Sequence, residues 1–408
     1  MHDVIVIGAG PGGSATAYYL ARHGLDVLLL DKFDFPRDKT CGDALTPRAL
    51  EVLADMGLLA AMGQVGCEVN KVKIFAPGGD STVAKMPHYN GRPGRAMIVP
   101  RLSLDNAIRE RAVDSGAKFE GRIQVTNIEP TEDGVRVSGG RRGRSVTHPA
   151  RLAVIATGAS PKLLLQTGIL SEAPPMMMAA RAYFENINYL TDEMQFYFEG
   201  VPLPGYGWVF PLPDSTANIG AGFFRRGRIA RRMPATPAAA FETFVKHPTL
   251  QTMLAGARRV GPVKGYPLRV DFATAPTVGE RILVVGEAAG LVNPLTGEGI
   301  DYALESGRIA ARHLIDLFSD GDLSRPKLTV YDQLLRRQFQ SLFRFCYHMQ
   351  GFLPYRSLLN RLVKAADHQH DLKTLLVNIL LGNYDISSGI PRKAILKGLF
   401  SLASADFL

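Results

Sequence analysis

Gly8-x-Gly10-x-x-Gly13 is the spacing in this 408-residue chain that most directly implies chemistry. Glycines at those intervals tighten a turn, admit a pyrophosphate to the backbone and let the following helix pack on the preceding strand. The helix N-terminus then favours the phosphate charge. Pro11 and Gly12 complete the turn, and Asp31 closes the next apolar run beside Lys32, where a carboxylate reaches both hydroxyls of a ribose. Much later, Leu283-Val284-Val285 runs into Gly286-Glu287-Ala288-Ala289-Gly290, and the stretch Asn293 to Ile300 opens a helix. Glu287 suits a ribityl hydroxyl. The helix start at Gly297, Gly299 and Ile300 would aim N–H groups at the pyrimidine edge of a flavin, where negative charge gathers on reduction. Two such segments in this order imply FAD.

Tyr206, Trp208 and Phe210 alternate, so on a strand all three share one face. The spacing alone favours a stripe packed into a core, with the wall of a flat, apolar site as the other reading.

The elements that must position these groups follow from pattern. Asp3–Ile7, Ser14–His23 and Val27–Leu30 read as strand, helix and strand, a complete βαβ unit. Thr46 followed by Pro47 predicts a helix over 46–60, and Ser103 with Asp105 predicts another over 102–115. Strands are expected over 67–100 and as hairpins over 117–156, with a tip at Gly139–Gly143 and a closing strand Leu152–Ala156. From 176 to 224 the chain is strand-rich and aromatic; 237–256 reads as helix, Arg281–Val285 as strand, 300–318 as helix, and 327–400 as mostly helical and basic. The expected fold is α/β: a Rossmann-like FAD-binding domain (1–175 and 270–320), an inserted antiparallel β-sheet substrate domain (176–269, joined by 67–100) and a helical C-terminal region (321–408).

Composition narrows the class. Apolar residues at 46% and charged residues at 21% describe a folded chain and exclude disorder. Cys41, Cys67 and Cys346 are too scattered for a disulfide framework or a metal site, which points to a reducing compartment. No apolar run is long enough to span a bilayer, and the start lacks a signal-peptide pattern. A cytoplasmic protein that meets membranes only from the surface is expected. The net charge of +9 favours anionic partners. Its densest run, Arg225-Arg226-Gly227-Arg228 with Arg231-Arg232, reads as a solvated loop, with a lid over phosphates as the alternative. No nucleic-acid motif accompanies the charge, so a nucleic-acid partner is not expected. Leu335, Phe339, Leu342, Phe343, Cys346 and Met349 fall at helical spacing, a face for the protein's own core. Interfacial membrane binding is the competing reading, with Lys393, Lys397, Leu399 and Phe400 in support.

The glycine turn, Arg37 ahead of Cys41-Gly42-Asp43, Pro100-Arg101-x-x-Leu104-Asp105, Ala156-Thr157-Gly158 and Gly286–Gly290 resemble the flavoproteins built on the p-hydroxybenzoate hydroxylase fold. Within that group, Cys41-Gly42-Asp43 and Tyr206-x-Trp208-x-Phe210-Pro211 are most similar to the geranylgeranyl reductase family. The chain departs from the family pattern at Glu287, where Asp is usual, at Leu203, where proline is usual, and at Leu212, where lysine often follows Phe-Pro. By position, the resemblance implies Arg101 on the FAD phosphates or ribose and Val125 against the adenine. Cys41, Gly42 and Ala44 would line the flavin, and Gly299 and Ile300 would lie at its pyrimidine edge. Tyr206, Trp208, Phe210 and Pro211 would bind a polyprenyl substrate.

The implied reaction saturates an isoprenoid C=C bond by hydride transfer from reduced flavin, with a proton supplied by Cys41 or Tyr206 and Trp208 close by. The Phe35–Asp43 stretch is similar to that of bacterial menaquinone reductases, which makes menaquinone the leading substrate. With no second GxGxxG, the electron donor is either NAD(P)H bound transiently or a reduced carrier protein. A monooxygenase or halogenase on the same fold, and a prenyl-binding carrier without catalysis, are the alternatives.

Overall fold

The computed structural model describes residues 1–224, 236–352 and 354–383. The Arg225–Arg232 run and the four C-terminal residues Lys393, Lys397, Leu399 and Phe400 lie outside the described residues.

The β-branched run near the N-terminus forms the middle of a mostly parallel sheet. His2–Ile7 pairs in parallel with Val27–Leu30 on one side and with Arg144–Ile155 on the other. Lys118–Glu120 and Ile282–Val284 extend the sheet outward. Burial on both faces explains why Val4–Ile7, Val27–Leu30, Leu152–Ile155 and Ile282–Val284 are apolar without alternation. The helices Pro11–Arg22 and Ile300–Asp320 pack against each other over the sheet. Their backbones meet where a Cβ on Gly307 would lie 2.5 Å from the Gly12 carbonyl oxygen.

A second sheet holds seven strands in the order Arg258–Arg269, Met176–Glu185, Thr216–Phe224, Gly205–Leu212, Glu193–Tyr197, Lys71–Phe75 and Ser81–Lys85. Its joints are antiparallel except one: Glu193–Tyr197 runs parallel to Lys71–Phe75. That direction is free because the chain between those strands makes a long excursion, through Lys118–Glu120 and Arg144–Ile155 of the first sheet, rather than a hairpin. The short strands Ala44–Leu45, Ala96–Ile98 and Cys67–Val69 make a third sheet between the two.

Four expected elements differ, one of them the helix at 237–256, which Pro248 divides into Pro237–Val245 and Pro248–Leu254. The helix at 46–60 divides into Pro47–Asp55 and Leu59–Val65, because Gly57 takes φ +73° and turns the chain. The next helix starts at Arg101, with Pro100 as its cap rather than Ser103. The strand expected at 152–156 is the end of a longer one, Arg144–Ile155. In the C-terminal region, Leu335, Phe339, Leu342, Phe343 and Cys346 of the helix Arg325–Met349 are buried, with Phe272 and Tyr302 packed edge-on against Phe343. That face is consumed by the protein's own core. Among the described residues, no helix is long and apolar enough to cross a membrane.

Candidate active site

A cavity of about 600 Å³ opens between the two large sheets. Gly8, Gly10, Pro11, Gly12, Asp31, Lys32, Arg37, Cys41, Gly42, Ala44, Arg101, Val125, Gly286, Glu287, Gly297, Gly299 and Ile300 all line it, as do Tyr206, Trp208 and Phe210. Two residues singled out in the sequence do not. Gly13 lies under the turn, and Pro211 pairs with Ala217 further along its strand.

The glycine turn is fixed by contact. Gly8 takes φ +110°, and a Cβ there would lie 2.3 Å from the Ala156 carbonyl oxygen; one on Gly13 would lie 1.8 Å from that of Gly8. Both positions exclude any side chain. The Asp31 carboxylate spans the turn, accepting from the Ala9 N–H at 2.8 Å and the Phe33 N–H at 2.9 Å. Arg37 donates to Asp105 at 2.9 Å and reaches over Gly10, while its buried Nε has no partner among the described residues. Arg101 grips Asp105 with two bonds, at 2.6 and 2.8 Å. Burial works against the Arg101 charge, but Asp105 outweighs it and keeps the guanidinium protonated. A backbone cradle at a helix N-terminus, with a free arginine nitrogen above it, fits the pyrophosphate of a dinucleotide.

Glu287 lines the cavity and carries a pairing that the sequence did not show. Its Oε2 accepts from the Lys39 ammonium at 2.9 Å, and its Oε1 lies 3.4 Å from the Arg269 N–H. The longer side chain meets Lys39, which also sits 4.6 Å from the Tyr266 ring centroid. The helix start at 297–300 differs from the expected arrangement. The Ile300 N–H is taken by Glu298 Oε1 at 3.1 Å and that of Gly297 by the Asn293 carbonyl at 2.9 Å, so Gly299 is left to offer its own.

The opposite wall is aromatic. Tyr206 and Trp208 have ring centroids 6.0 Å apart, Trp208 and Phe210 6.2 Å, and Phe196 joins at 5.3 Å from Phe210. Met177 and Met194 complete it. The indole lies over the strand Thr216–Phe224, in a slot that exists because Gly220 has no side chain: a Cβ there would be 2.1 Å from Trp208 Cζ2. Gly42 likewise lets Phe210 close on the Cys41 loop, with a Cβ position 3.1 Å from Phe210 Cε2. The stripe thus faces the cavity while packing edgewise into the core.

Behind this wall runs a polar chain that the sequence did not reveal. Trp208 Nε1 donates to Asn218 Oδ1 at 2.9 Å, and Asn218 Nδ2 donates to Asp43 Oδ2 at 2.8 Å and to the Cys41 carbonyl at 2.7 Å. Tyr183 donates to the same Asp43 oxygen at 2.6 Å. Burial pushes the Asp43 carboxyl up to about 6, against the pull of Tyr183, Asn218, Arg181 and Arg101. The Tyr206 hydroxyl donates to the Thr296 carbonyl, tying the aromatic strand to the loop before the helix Ile300–Asp320. Lys39, Asp43, Asp105, Asn218 and Glu298 are the site residues missed. Asp43, Asp105 and Glu298 stood inside quoted motifs, but Tyr183 and Asn218 reach Asp43, and Arg37 reaches Asp105, from distant segments.

Two large sheets that set a dinucleotide cradle opposite an aromatic wall define a flavoprotein. The FAD binding domain family matches residues 1–337, and the chain belongs to it. It is 33% identical over 330 residues to a menaquinone reductase of Mycobacterium tuberculosis, covering 79% of this chain and 78% of that one. Digeranylgeranylglycerophospholipid reductase 1 of Methanopyrus kandleri is 29% identical over 358 residues, covering 86% and 90%. Among solved structures, a geranylgeranyl bacteriochlorophyll reductase-like protein from Thermoplasma acidophilum shares the fold, with TM-score 0.79 at 22% identity over 98% of this chain and 95% of that one. The protein is an FAD-dependent oxidoreductase.

Proposed function

We propose that this enzyme saturates isoprenoid C=C bonds of a polyprenyl substrate, either the side chain of menaquinone or a geranylgeranyl group. One observation carries the reading: a single cavity has a dinucleotide cradle on one wall and Phe196, Trp208, Phe210, Met177 and Met194 on the other. When bound and reduced, FAD supplies a hydride. Gly8, Gly10, Pro11 and Gly12 with Arg37 would hold its pyrophosphate, and Asp31 with Lys32 its ribose. Val125 and Arg101 would hold its adenosine side, and Cys41, Gly42, Ala44, Gly286, Glu287, Gly297, Gly299 and Ile300 its flavin side. The aromatic wall presses a flat alkene into place, and the methionines adapt to methyl branches. Excluding water protects the reduced state from side reactions. The relatives named as menaquinone and digeranylgeranyl reductases support this substrate class.

The proposal includes the division into an FAD-binding unit (1–175 and 270–320), a substrate unit (176–269 with 67–100) and a helical C-terminal region (321–408). It also includes NAD(P)H or a reduced carrier protein as donor, and a cytoplasmic protein meeting the membrane at its surface. Flotation with anionic and neutral liposomes checks that contact; failure to float with either rejects it. For the activity, the protein is reduced anaerobically with dithionite and given menaquinone or geranylgeranyl diphosphate. A product heavier by two hydrogens is expected, weighed for menaquinone after air has returned its quinol to the quinone. An oxygen-dependent product would indicate a monooxygenase or halogenase, and binding without turnover a carrier.

A further inference from the structure

One cation in the cavity has no part in the roles given so far. Lys39 lines the wall, and its side chain keeps only 22% of its surface exposed. An ammonium carries three hydrogens. One goes to Glu287 Oε2 at 2.9 Å, the Tyr266 ring centroid lies 4.6 Å away, and among the described residues no other acceptor meets it. Burial works against the charge, but Glu287 outweighs it and keeps Lys39 protonated.

Two lines of contact bring that ammonium to the glycine turn. On one side, a Cβ on Gly158 would lie 3.9 Å from Lys39 Nζ and 3.3 Å from Glu287 Oε2. Gly158 takes φ +68° two residues after Ala156, whose carbonyl oxygen sits against Gly8. On the other side, Gly286 precedes Glu287 and packs on Ala303, which also packs on Gly12. The segment that carries Lys39 is pinned as well. The Lys39 carbonyl accepts from Arg181 Nη2 at 3.2 Å, and the preceding Asp38 pairs with Arg181 at 2.5 Å and with Lys264 at 2.6 Å.

Glu287 alone would set a buried carboxylate beside a phosphate site, where it repels the ligand and lacks a counter-ion. Lys39 cancels that charge and still has a hydrogen for an anionic oxygen. We infer that Lys39 is a further FAD-holding residue: its ammonium, steered by Glu287, donates to a diphosphate oxygen of the cofactor. Arg37 comes in over Gly10 and Lys39 from beside Gly158, so cations meet the diphosphate from two directions. This role needs FAD binding alone and holds whichever substrate is reduced.

The apoprotein is titrated with FAD, followed by flavin fluorescence, and the loaded protein is examined by phosphorus NMR. Lys39→Met should raise the Kd for FAD about tenfold or more, the loss of one charge-assisted hydrogen bond. Lys39→Arg, which retains the charge, should recover part of the affinity. A diphosphate resonance should move in Lys39→Met relative to wild type. Lys39→Met combined with Glu287→Gln separates direct contact from charge cancellation, and this double variant should still bind weakly. Lys39→Gln replaces Lys39→Met if that variant fails to fold. A Kd within twofold of wild type, unmoved phosphorus resonances, or full recovery of affinity in the double variant overturns the inference. Affinity is read without turnover, so a wild type that binds FAD but reduces no alkene refutes only the proposed reduction.

Discussion

The two walls of the cavity are built by opposite means. The dinucleotide wall is mostly backbone: Gly8 and Gly13 stand where no Cβ fits, and Asp31 is clamped by two N–H groups. The aromatic wall is mostly side chain, and its members lean on each other and on a buried polar chain through Asn218 and Asp43. The first wall has one solution and no slack. The second distributes its stability over many contacts, so it admits gradual change and with it different substrates.

Breaking each wall should expose that difference. The largest effect belongs to Gly13→Val, which forces the helix Pro11–Arg22 off its strand. Denaturant unfolding should show a loss of about 4 kcal/mol or more, and the purified protein should lack flavin absorbance. Phe210→Ala removes a ring between Phe196, Trp208 and Gly42. A loss of about 3–4 kcal/mol is expected by thermal unfolding, with FAD retained and the KM for the prenyl substrate raised. A flavin-free Phe210→Ala protein would mean the walls are not independent.

Asp43 sharpens the comparison through pH. Its carboxyl titrates at about 6 in the folded protein, above the ordinary 3.8. The stability it contributes is therefore complete below about pH 4 and lost as pH rises through about 6, a change of about 3 kcal/mol. Asp43→Asn should abolish that part of the pH dependence. Because Trp208 is the chain's one tryptophan and reaches Asp43 through Asn218, its fluorescence should titrate near pH 6 in wild type and stay flat in the variant. The smallest effect is expected from Tyr206→Phe, which removes the bond to the Thr296 carbonyl. Calorimetry should show a loss of about 1 kcal/mol, with FAD content unchanged.

What the sequence revealed follows the same division. The glycine turn, Asp31 and the late Gly286–Ile300 segment were legible because few residue types satisfy a phosphate cradle, and their spacing is local. Tyr206, Trp208 and Phe210 were legible as one face, but whether that face met core or cavity depended on Gly220 and Gly42, residues from other segments. Glu287 was legible as a carboxylate at the end of its strand, but its pairing with Lys39, far away in sequence, left no local mark. Asp105 sat inside a quoted motif with Arg101, its i, i+4 partner; its work of joining Arg37 to Arg101 appears only when Arg37, 68 residues away in sequence, arrives in space. The parallel joint of Glu193–Tyr197 with Lys71–Phe75 left no local mark, since strand direction is set by the route of the chain.

The account stands or falls on what reoxidises the reduced flavin. The most direct measurement is stopped-flow absorbance of the dithionite-reduced enzyme, free of oxygen, mixed with a geranylgeranyl substrate that has no quinone ring. Return of the oxidised flavin spectrum, with one saturated bond per flavin, is predicted. A flavin that stays reduced until oxygen is admitted, and then yields an oxygenated or halogenated product, would contradict it.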